Sequence, residues 1–112
     1  MRVYLGRFRK RFEYKSLEDL KRMAEEHNIK IGDNVFFGES VTIGYGVTIE
    51  SSVEIQSWST IENRVIIKHN TKIGKGVIIK RDAKIGRWST IGNRVIIKCN
   101  EIVEDYAILK SR

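Results

Sequence analysis

The sequence predicts an all-β fold of very short strands, preceded by a small segment of strand and helix. Three observations support this prediction. Large apolar residues recur every sixth position from Ile31 to Leu109, and turn-forming residues lie in between. A smaller residue follows four positions after each of them up to Val103, with Glu101 as the one exception. A longer repeat keeps the same phase, because residues 55–70 and 85–100 are nearly identical and lie five six-residue units apart.

Residues 1–30 differ from the rest of the chain. The stretch "MRVYLGRFRKRFEY" alternates apolar and basic residues and predicts a strand or hairpin. The stretch "SLEDLKRMAEEHN" predicts a helix, in which Ser16 is the N-cap and Asp19 stands three residues later. His27, at the end of this helix, is expected to be a surface residue or a partner of the helix C-terminal dipole and not a catalytic group. One side of the helix carries an apolar stripe of Leu17, Leu20, Met23 and Ala24.

From residue 31 onward the apolar period is six and has no exception. A helix would need spacings of three and four, whereas Val-x-Ile triplets alternate inward and outward over three residues before a polar trio. Helix is therefore excluded from 31 to 110. The large positions are Ile31, Phe37, Ile43, Ile49, Ile55, Ile61, Ile67, Ile73, Ile79, Ile85, Ile91, Ile97, Val103 and Leu109.

The third residue of each polar trio indicates a tight turn. Most of these residues tolerate a positive φ angle. Trp58 and Trp88 occupy the same position, where Asn or Gly would be unstrained, which suggests contact with a ligand or another subunit. The tolerant residues are Asn34, Gly46, Asn70, Gly76, Asp82 and Asn100.

The units "IGDNVF", "IGYGVT", "IGKGVI" and "IGNRVI" resemble the hexapeptide repeat of left-handed parallel β-helix acyltransferases. The resemblance implies that three hexads form one triangular coil, so residues eighteen apart stack. Residues 31–112 would then form between four and five coils. Residues 1–30 would form a cap, because the first coil otherwise leaves an unpaired strand edge.

The same resemblance implies a function. Members of this family are characteristically trimers and move an acyl group from coenzyme A or acyl carrier protein to a sugar, amino acid or antibiotic. Their general base is a histidine in the cleft between subunits. It carries over only to His69, in "IIKHNTKIG", with acetyl-CoA or another acyl-CoA as the donor. The cofactor phosphates would lie on the basic turn residues Arg64, Lys80, Arg81 and Lys98.

Because residues eighteen apart would stack, the outward residues fall into three faces of the prism. The face of Thr42, Thr60, Ile78 and Ile96 carries no charge, and we call it the uncharged face. The next face adds outward Ile66 and Ile102. Exposed apolar residues of this kind usually mark an interface, so Ile78, Ile96, Ile66 and Ile102 are the predicted oligomer contacts.

Two rival functions remain open. The first is a non-catalytic trimeric binding module for a nucleotide or another small anionic ligand, which the absence of an inserted loop in the hexads favours. The second is a purely structural protein. In the binding module, Trp58 and Trp88 would stack on the ligand, and the anion contacts would come from Arg64, Arg87 and Arg94.

A metal site is not expected. Gamma-class carbonic anhydrases resemble this architecture but bind zinc through three histidines, and only His27 and His69 exist here. Cys99 occupies the place of His69 in the second long repeat, on another corner, so the two side chains do not form a site.

Composition limits the remaining classes. A chain of 112 residues without proline suits one domain, and the single cysteine allows no internal disulfide. No continuous apolar run indicates a signal peptide or membrane span, so a soluble cytoplasmic protein is expected. The net charge of +7 favours anionic partners but also fits simple solubility. The scattered positive charge does not favour duplex nucleic acid.

Overall fold

The structure, a computed structural model, describes residues 1–111. It is a parallel β-solenoid of about four turns with one short helix near its N-terminus, which confirms the predicted fold class. A hairpin of β1 (Arg2–Leu5) and β2 (Lys10–Glu13) precedes helix α1 (Leu17–Glu25). The coil strands are β3 (Lys30–Ile31), β4 (Phe36–Phe37), β5 (Val41–Ile43), β6 (Thr48–Ile49), β7 (Glu54–Ile55), β8 (Thr60–Ile61), β9 (Ile66–Ile67), β10 (Lys72–Ile73), β11 (Ile78–Ile79), β12 (Lys84–Ile85), β13 (Thr90–Ile91), β14 (Ile96–Ile97), β15 (Ile102–Val103) and β16 (Ile108–Leu109).

Three sheets, parallel throughout except for β2, form the sides of the prism, and the register of the coil strands confirms that residues eighteen apart stack. Lys72 lies between Glu54 and Thr90, and Ile78 lies between Thr60 and Ile96. The three sheets run in the orders β14-β11-β8-β5-β1-β2, β16-β13-β10-β7-β4 and β15-β12-β9-β6-β3.

The two-residue strands form because each places one side chain outside and one inside. Ile73 is 1% exposed, whereas its neighbour Lys72 points into water. The inward residues of successive coils stack into one continuous hydrophobic core. That core also contains Val3, Leu5 and Leu20, so residues 1–30 and the coils share a single interior.

The corners between strands need a backbone that reverses within three residues. The third corner residue adopts a left-handed conformation, as in Asn70 with φ of 59° and Gly76 with φ of 63°. The first corner residue is often glycine because the coils approach closely there. A Cβ on Gly44 would lie 2.6 Å from the backbone nitrogen of Asn63 on the next coil.

Hydroxyl groups replace valine at three buried positions, and each is satisfied. Ser59 donates to the carbonyl of Gly74 at 2.7 Å, and Thr71 donates to the carbonyl of Gly86 at 2.9 Å. Ser89 donates to the carbonyl of Glu104 at 3.0 Å. A buried hydroxyl with a partner costs little, so these residues keep the repeat intact.

The N-terminal segment continues the first coil. Strand β1 pairs in parallel with β5 and occupies the place that a preceding coil would take on that sheet. Helix α1 begins at the predicted cap, because the Ser16 hydroxyl accepts from the backbone N–H of Asp19 at 3.2 Å. The buried side of α1 carries Leu20 and Ala24, and Lys21 binds Asp33 of the first coil at 2.9 Å.

His27 is partly exposed just after helix α1, and its ring contacts the hairpin. Its ring is half-buried and packs edge-on against Phe12, with ring centroids 5.7 Å apart. Gly6 permits this packing, since a Cβ there would overlap the imidazole. The His27 carbonyl also accepts from the backbone N–H of Gly46, so this residue joins the cap to the coils.

Replacing Ile73 with lysine tests the register of the repeat. The variant places an ammonium group in the middle of the stacked core, where an unpaired charge costs several kcal/mol and the neighbouring coils cannot relax independently. We expect loss of the β signal in circular dichroism at room temperature. Ile108→Lys, at an exposed outward position whose ladder neighbour is the uncharged Thr90, is the control and should melt like the wild type. Equal melting of Ile73→Lys and wild type would contradict the register.

Candidate functional site

The corners of the prism carry the candidate site residues. We call residues 32–34, 50–52, 68–70, 86–88 and 104–106 the histidine corner, and residues 44–46, 62–64, 80–82 and 98–100 the basic corner. Residues 38–40, 56–58, 74–76 and 92–94 form the third corner. Backbone hydrogen bonds between coils fix each stack, as from Trp88 to His69 at 3.0 Å and from Asp82 to Asn63 at 3.0 Å.

His69 is half-buried on the histidine corner and lines an open groove of about 510 Å³. Its backbone N–H donates to the Glu50 carboxylate at 3.0 Å, and its Nδ1 lies 3.1 Å from the amide oxygen of Asn70. Lys30 and Ser51 also line the groove. The backbone of His69 is therefore anchored by Glu50, its imidazole is held at Nδ1 by Asn70, and the ring remains accessible from solvent.

The contact with Asn70 selects a tautomer of His69. An amide oxygen can only accept a hydrogen bond, so Nδ1 carries the hydrogen and Nε2 keeps its lone pair. Such a ring can take up a proton at Nε2 without first losing one. This arrangement is the one that a general base requires.

The four predicted cofactor residues all lie on the basic corner, but they are not equally available. Arg64 is already paired with a carboxylate, because its Nε and Nη2 donate to Asp82 at 2.9 and 3.1 Å. These hydrogen bonds lower the pKa of the Asp82 carboxyl and raise the pKa of Arg64. Lys80, Arg81 and Lys98 are exposed and point into solvent from successive coils.

The predicted stacking and anion residues do not form one site. Arg87 and Trp88 are neighbours on the histidine corner, and Arg87 lies 3.4 Å from Asp105. Trp58 and Arg94 flank Gly76 on the third corner, where they line a cavity of about 320 Å³. Arg64 belongs to the basic corner, so the sequence-based set is divided among all three corners.

Both tryptophans adopt the left-handed conformation predicted for their positions, with φ of 66° for Trp58 and 57° for Trp88. Trp88 is 51% exposed and lines a groove of about 510 Å³ with Lys72 and Asn70. A large exposed aromatic residue in a strained conformation gains little within its own subunit. The indole of Trp88 is therefore held in the groove with much of its surface exposed to solvent.

The predicted interface residues point outward on two faces. Ile96 and Ile102 are 57% and 70% exposed, whereas Ile78 and Ile66 are half-buried. Tyr4 extends the uncharged face, because β1 joins the sheet beside Thr42. Sequence reasoning missed this extension, since six-residue spacing carries no information about the hairpin.

The hairpin also adds residues beside the basic corner. Arg7 and Arg9 line a cleft of about 240 Å³ together with Arg81, and Phe8 between them is 94% exposed. The only signal in the sequence was the alternation of basic and aromatic residues in "RFRKRF".

Within residues 1–111, no three His, Cys, Asp or Glu side chains lie close enough together to hold a metal ion. Among the same residues, no helix has the length and apolarity needed to cross a membrane.

Replacing Trp88 with asparagine tests whether the indole stabilises its own subunit. Left-handed backbone costs a residue with a Cβ about 1–2 kcal/mol, and asparagine adopts it most readily. We expect Trp88→Asn to melt at the same temperature as wild type or higher, measured by calorimetry. Trp88→Val, which is β-branched at the same φ, should melt lower. A clear loss of stability in Trp88→Asn would show instead that the indole packs within the subunit.

Comparison with known proteins places the chain in a family. The family model described as bacterial transferase hexapeptide (six repeats) matches residues 28–63 and 64–99, which together make up well over half of the chain. A search of curated proteins found no match. The two matched segments coincide with stacked coils, so the sequence repeat and the solenoid describe the same unit. The chain therefore belongs to the bacterial transferase hexapeptide-repeat family.

Proposed function

We propose that this protein is an acyltransferase that moves an acetyl or longer acyl group from coenzyme A to a hydroxyl or amine of a small molecule, such as a sugar. The observation that carries this proposal is the hydrogen bond from His69 Nδ1 to the Asn70 amide oxygen, which leaves Nε2 free at an open groove. Membership in the hexapeptide transferase family supports an acyltransferase-like reaction.

The proposed chemistry assigns one step to His69. Nε2 takes the proton from the acceptor as its oxygen or nitrogen attacks the thioester carbonyl. The carbon–sulfur bond then breaks and the thiolate leaves, after which the imidazolium returns its proton to the sulfur. Asn70 acts as a positioning residue, because its amide oxygen fixes the ring and accepts no proton.

The basic corner supports binding of the acyl donor. Coenzyme A carries several phosphate charges, and the exposed cations Lys80, Arg81 and Lys98 stack on one corner where they can donate charge-assisted hydrogen bonds. Without an anion these like charges repel one another across the ladder. Arg64 joins them only if it leaves Asp82.

We further propose that the protein forms a trimer through the uncharged face. Thr42, Thr60, Ile78 and Ile96 form a stripe without a charged residue, and Ile66 and Ile102 lie on the adjoining face. Packing around a threefold axis buries both sets. A neighbouring subunit could also close the groove beside His69, which one subunit leaves open.

A non-catalytic binding module is the second candidate, and the two tryptophan cavities favour it. Trp58 faces Arg94 across Gly76, and Trp88 shares its groove with Lys72 and follows Arg87 in the sequence, so each site has a cation near an aromatic surface. A nucleotide offers the matching base and phosphate. This candidate requires no role for His69.

Replacing His69 with alanine tests the enzymatic proposal. Because the side chain projects from a corner and not into the core, folding should be unchanged. Acetyl transfer should fall by about 10²- to 10⁴-fold, the usual effect of losing a general base. Thiol release from acetyl-CoA, measured with a panel of sugar, amine and alcohol acceptors, reports the rate.

Two variants sharpen this test. Cys99→Ala changes the equivalent residue of the second long repeat and should keep full activity. Asn70→Gly preserves the left-handed backbone but removes the acceptor at Nδ1, so it should lower activity less than His69→Ala.

If wild-type protein releases no thiol with any acceptor, the enzymatic proposal fails. Calorimetric binding of a nucleotide that is lost in Trp88→Ala or Arg87→Ala would then favour the binding module.

Replacing both Ile78 and Ile96 with lysine tests the interface. Burial of two isoleucines contributes roughly 3–6 kcal/mol per subunit before the cost of association is subtracted. Light scattering should give the wild type a mass of about three times the 13.0 kDa chain, and the double variant the mass of one chain. The inward Ile79 and Ile97 keep each prism folded, which circular dichroism checks. A wild-type mass near 13.0 kDa would refute the interface.

A further inference from the structure

The cleft between the hairpin and the basic corner concentrates unpaired positive charge. Five of the nine arginines in residues 1–111 have a carboxylate oxygen within 4.0 Å. The other four are Arg7, Arg9, Arg81 and Arg94, and the first three line this one cleft of about 240 Å³. Segments far apart in the sequence thus bring three free guanidinium groups to one place.

The surroundings of these arginines keep their donors available. Arg7 stacks on the ring of Tyr45, with its guanidinium carbon 4.5 Å from the ring centroid. Stacking occupies the flat face of the guanidinium and leaves the N–H groups at its edge free to donate. Glu62 is the single carboxylate of the cleft, and it already accepts from the backbone N–H of Arg81 at 3.2 Å.

We propose that this cleft binds the phosphate group of a small phosphorylated molecule. Three arginines and one glutamate leave two positive charges, which match the charge of about −1.5 to −2 on a phosphate monoester at neutral pH. Arginine forks fit phosphate oxygens in pairs. A carboxylate ligand would neutralise only half of this charge.

The site shares Arg81 with the residues proposed to bind coenzyme A, but Arg7 and Arg9 belong to the hairpin alone. The proposal therefore stands without acyl transfer, and the two can be tested separately. Phe8, at the tip of the same hairpin, is not part of the cleft lining. Replacing Phe8 therefore distinguishes a phosphate cleft, which does not need the ring, from a surface that binds a nucleic-acid strand or a membrane through it.

Calorimetric titration of the full chain with inorganic phosphate, at constant ionic strength and without any acyl donor, tests the proposal. We expect saturable binding that weakens about tenfold or more in Arg9→Gly and in Arg81→Ala, because each loses charge-assisted hydrogen bonds. Glycine at position 9 keeps the left-handed backbone, with φ of 51° in Arg9, so folding is preserved. Arg11→Ala is the matched control, since it removes the same charge from a residue that pairs with Glu13 outside the cleft.

The remaining measurements compare phosphate with other ligands and include the variant Phe8→Ala. Acetate should bind at least about tenfold more weakly than phosphate, and Phe8→Ala should leave phosphate binding within about twofold. The proposal is overturned if phosphate does not saturate, if Arg11→Ala weakens binding as much as Arg9→Gly, or if acetate binds equally well. It is also overturned if a ten-nucleotide thymidine strand or phosphatidylglycerol vesicles bind more tightly than phosphate and lose that advantage in Phe8→Ala.

Because no acyl donor is present, a failed phosphate titration leaves the acyltransferase proposal intact. Conversely, absent thiol release from acetyl-CoA leaves the phosphate site intact. Arg9→Gly should reduce phosphate binding while its thiol release, if the wild type shows any, stays unchanged. Loss of both in this variant would place Arg9 in the donor site and contradict a separate cleft.

Discussion

The backbone ladder between coils is the interaction on which the rest of the structure depends. Each two-residue strand is too short to be stable alone, but an interior strand such as β10 pairs with a strand eighteen residues before it and another eighteen residues after it. Corner amides join the same ladder, as from Asn70 to the carbonyl of Ser51. Neighbouring coils therefore stabilise one another, and a change in one coil is transmitted mainly to the adjacent two.

The sequence predicted those features that repeat. The six-residue spacing identified every inward residue from Ile43 to Ile97, and it placed the charged Lys72 outside and Ile73 inside. The coil stack followed from the family resemblance, and the register of the strands agrees with it. In the cap, the helix with its Ser16 cap was also predicted, because local hydrogen bonds determine where a helix begins.

The remainder depends on contacts between distant segments, which periodicity does not report. Nothing in the spacing showed that Arg7 and Arg9 would meet Arg81, because that contact follows from the pairing of β1 with β5. The burial of His27 depends on the hairpin in the same way. Rotational position within the triangle also separated residues that the sequence grouped together, such as Trp58 and Trp88, which lie on different corners.

The hairpin at the start of the chain has a consequence for polymerisation. A parallel ladder invites further strands of the same direction, and a bare first coil could accept the last coil of another molecule and so begin a fibre. Strand β2 runs antiparallel to β1 and forms the outermost strand of that sheet, where Lys10, Arg11 and Glu13 are exposed. An incoming coil would meet a strand of reversed direction that carries charge. The hairpin thus covers the first strand of one of the three sheets and opposes head-to-tail growth along that sheet.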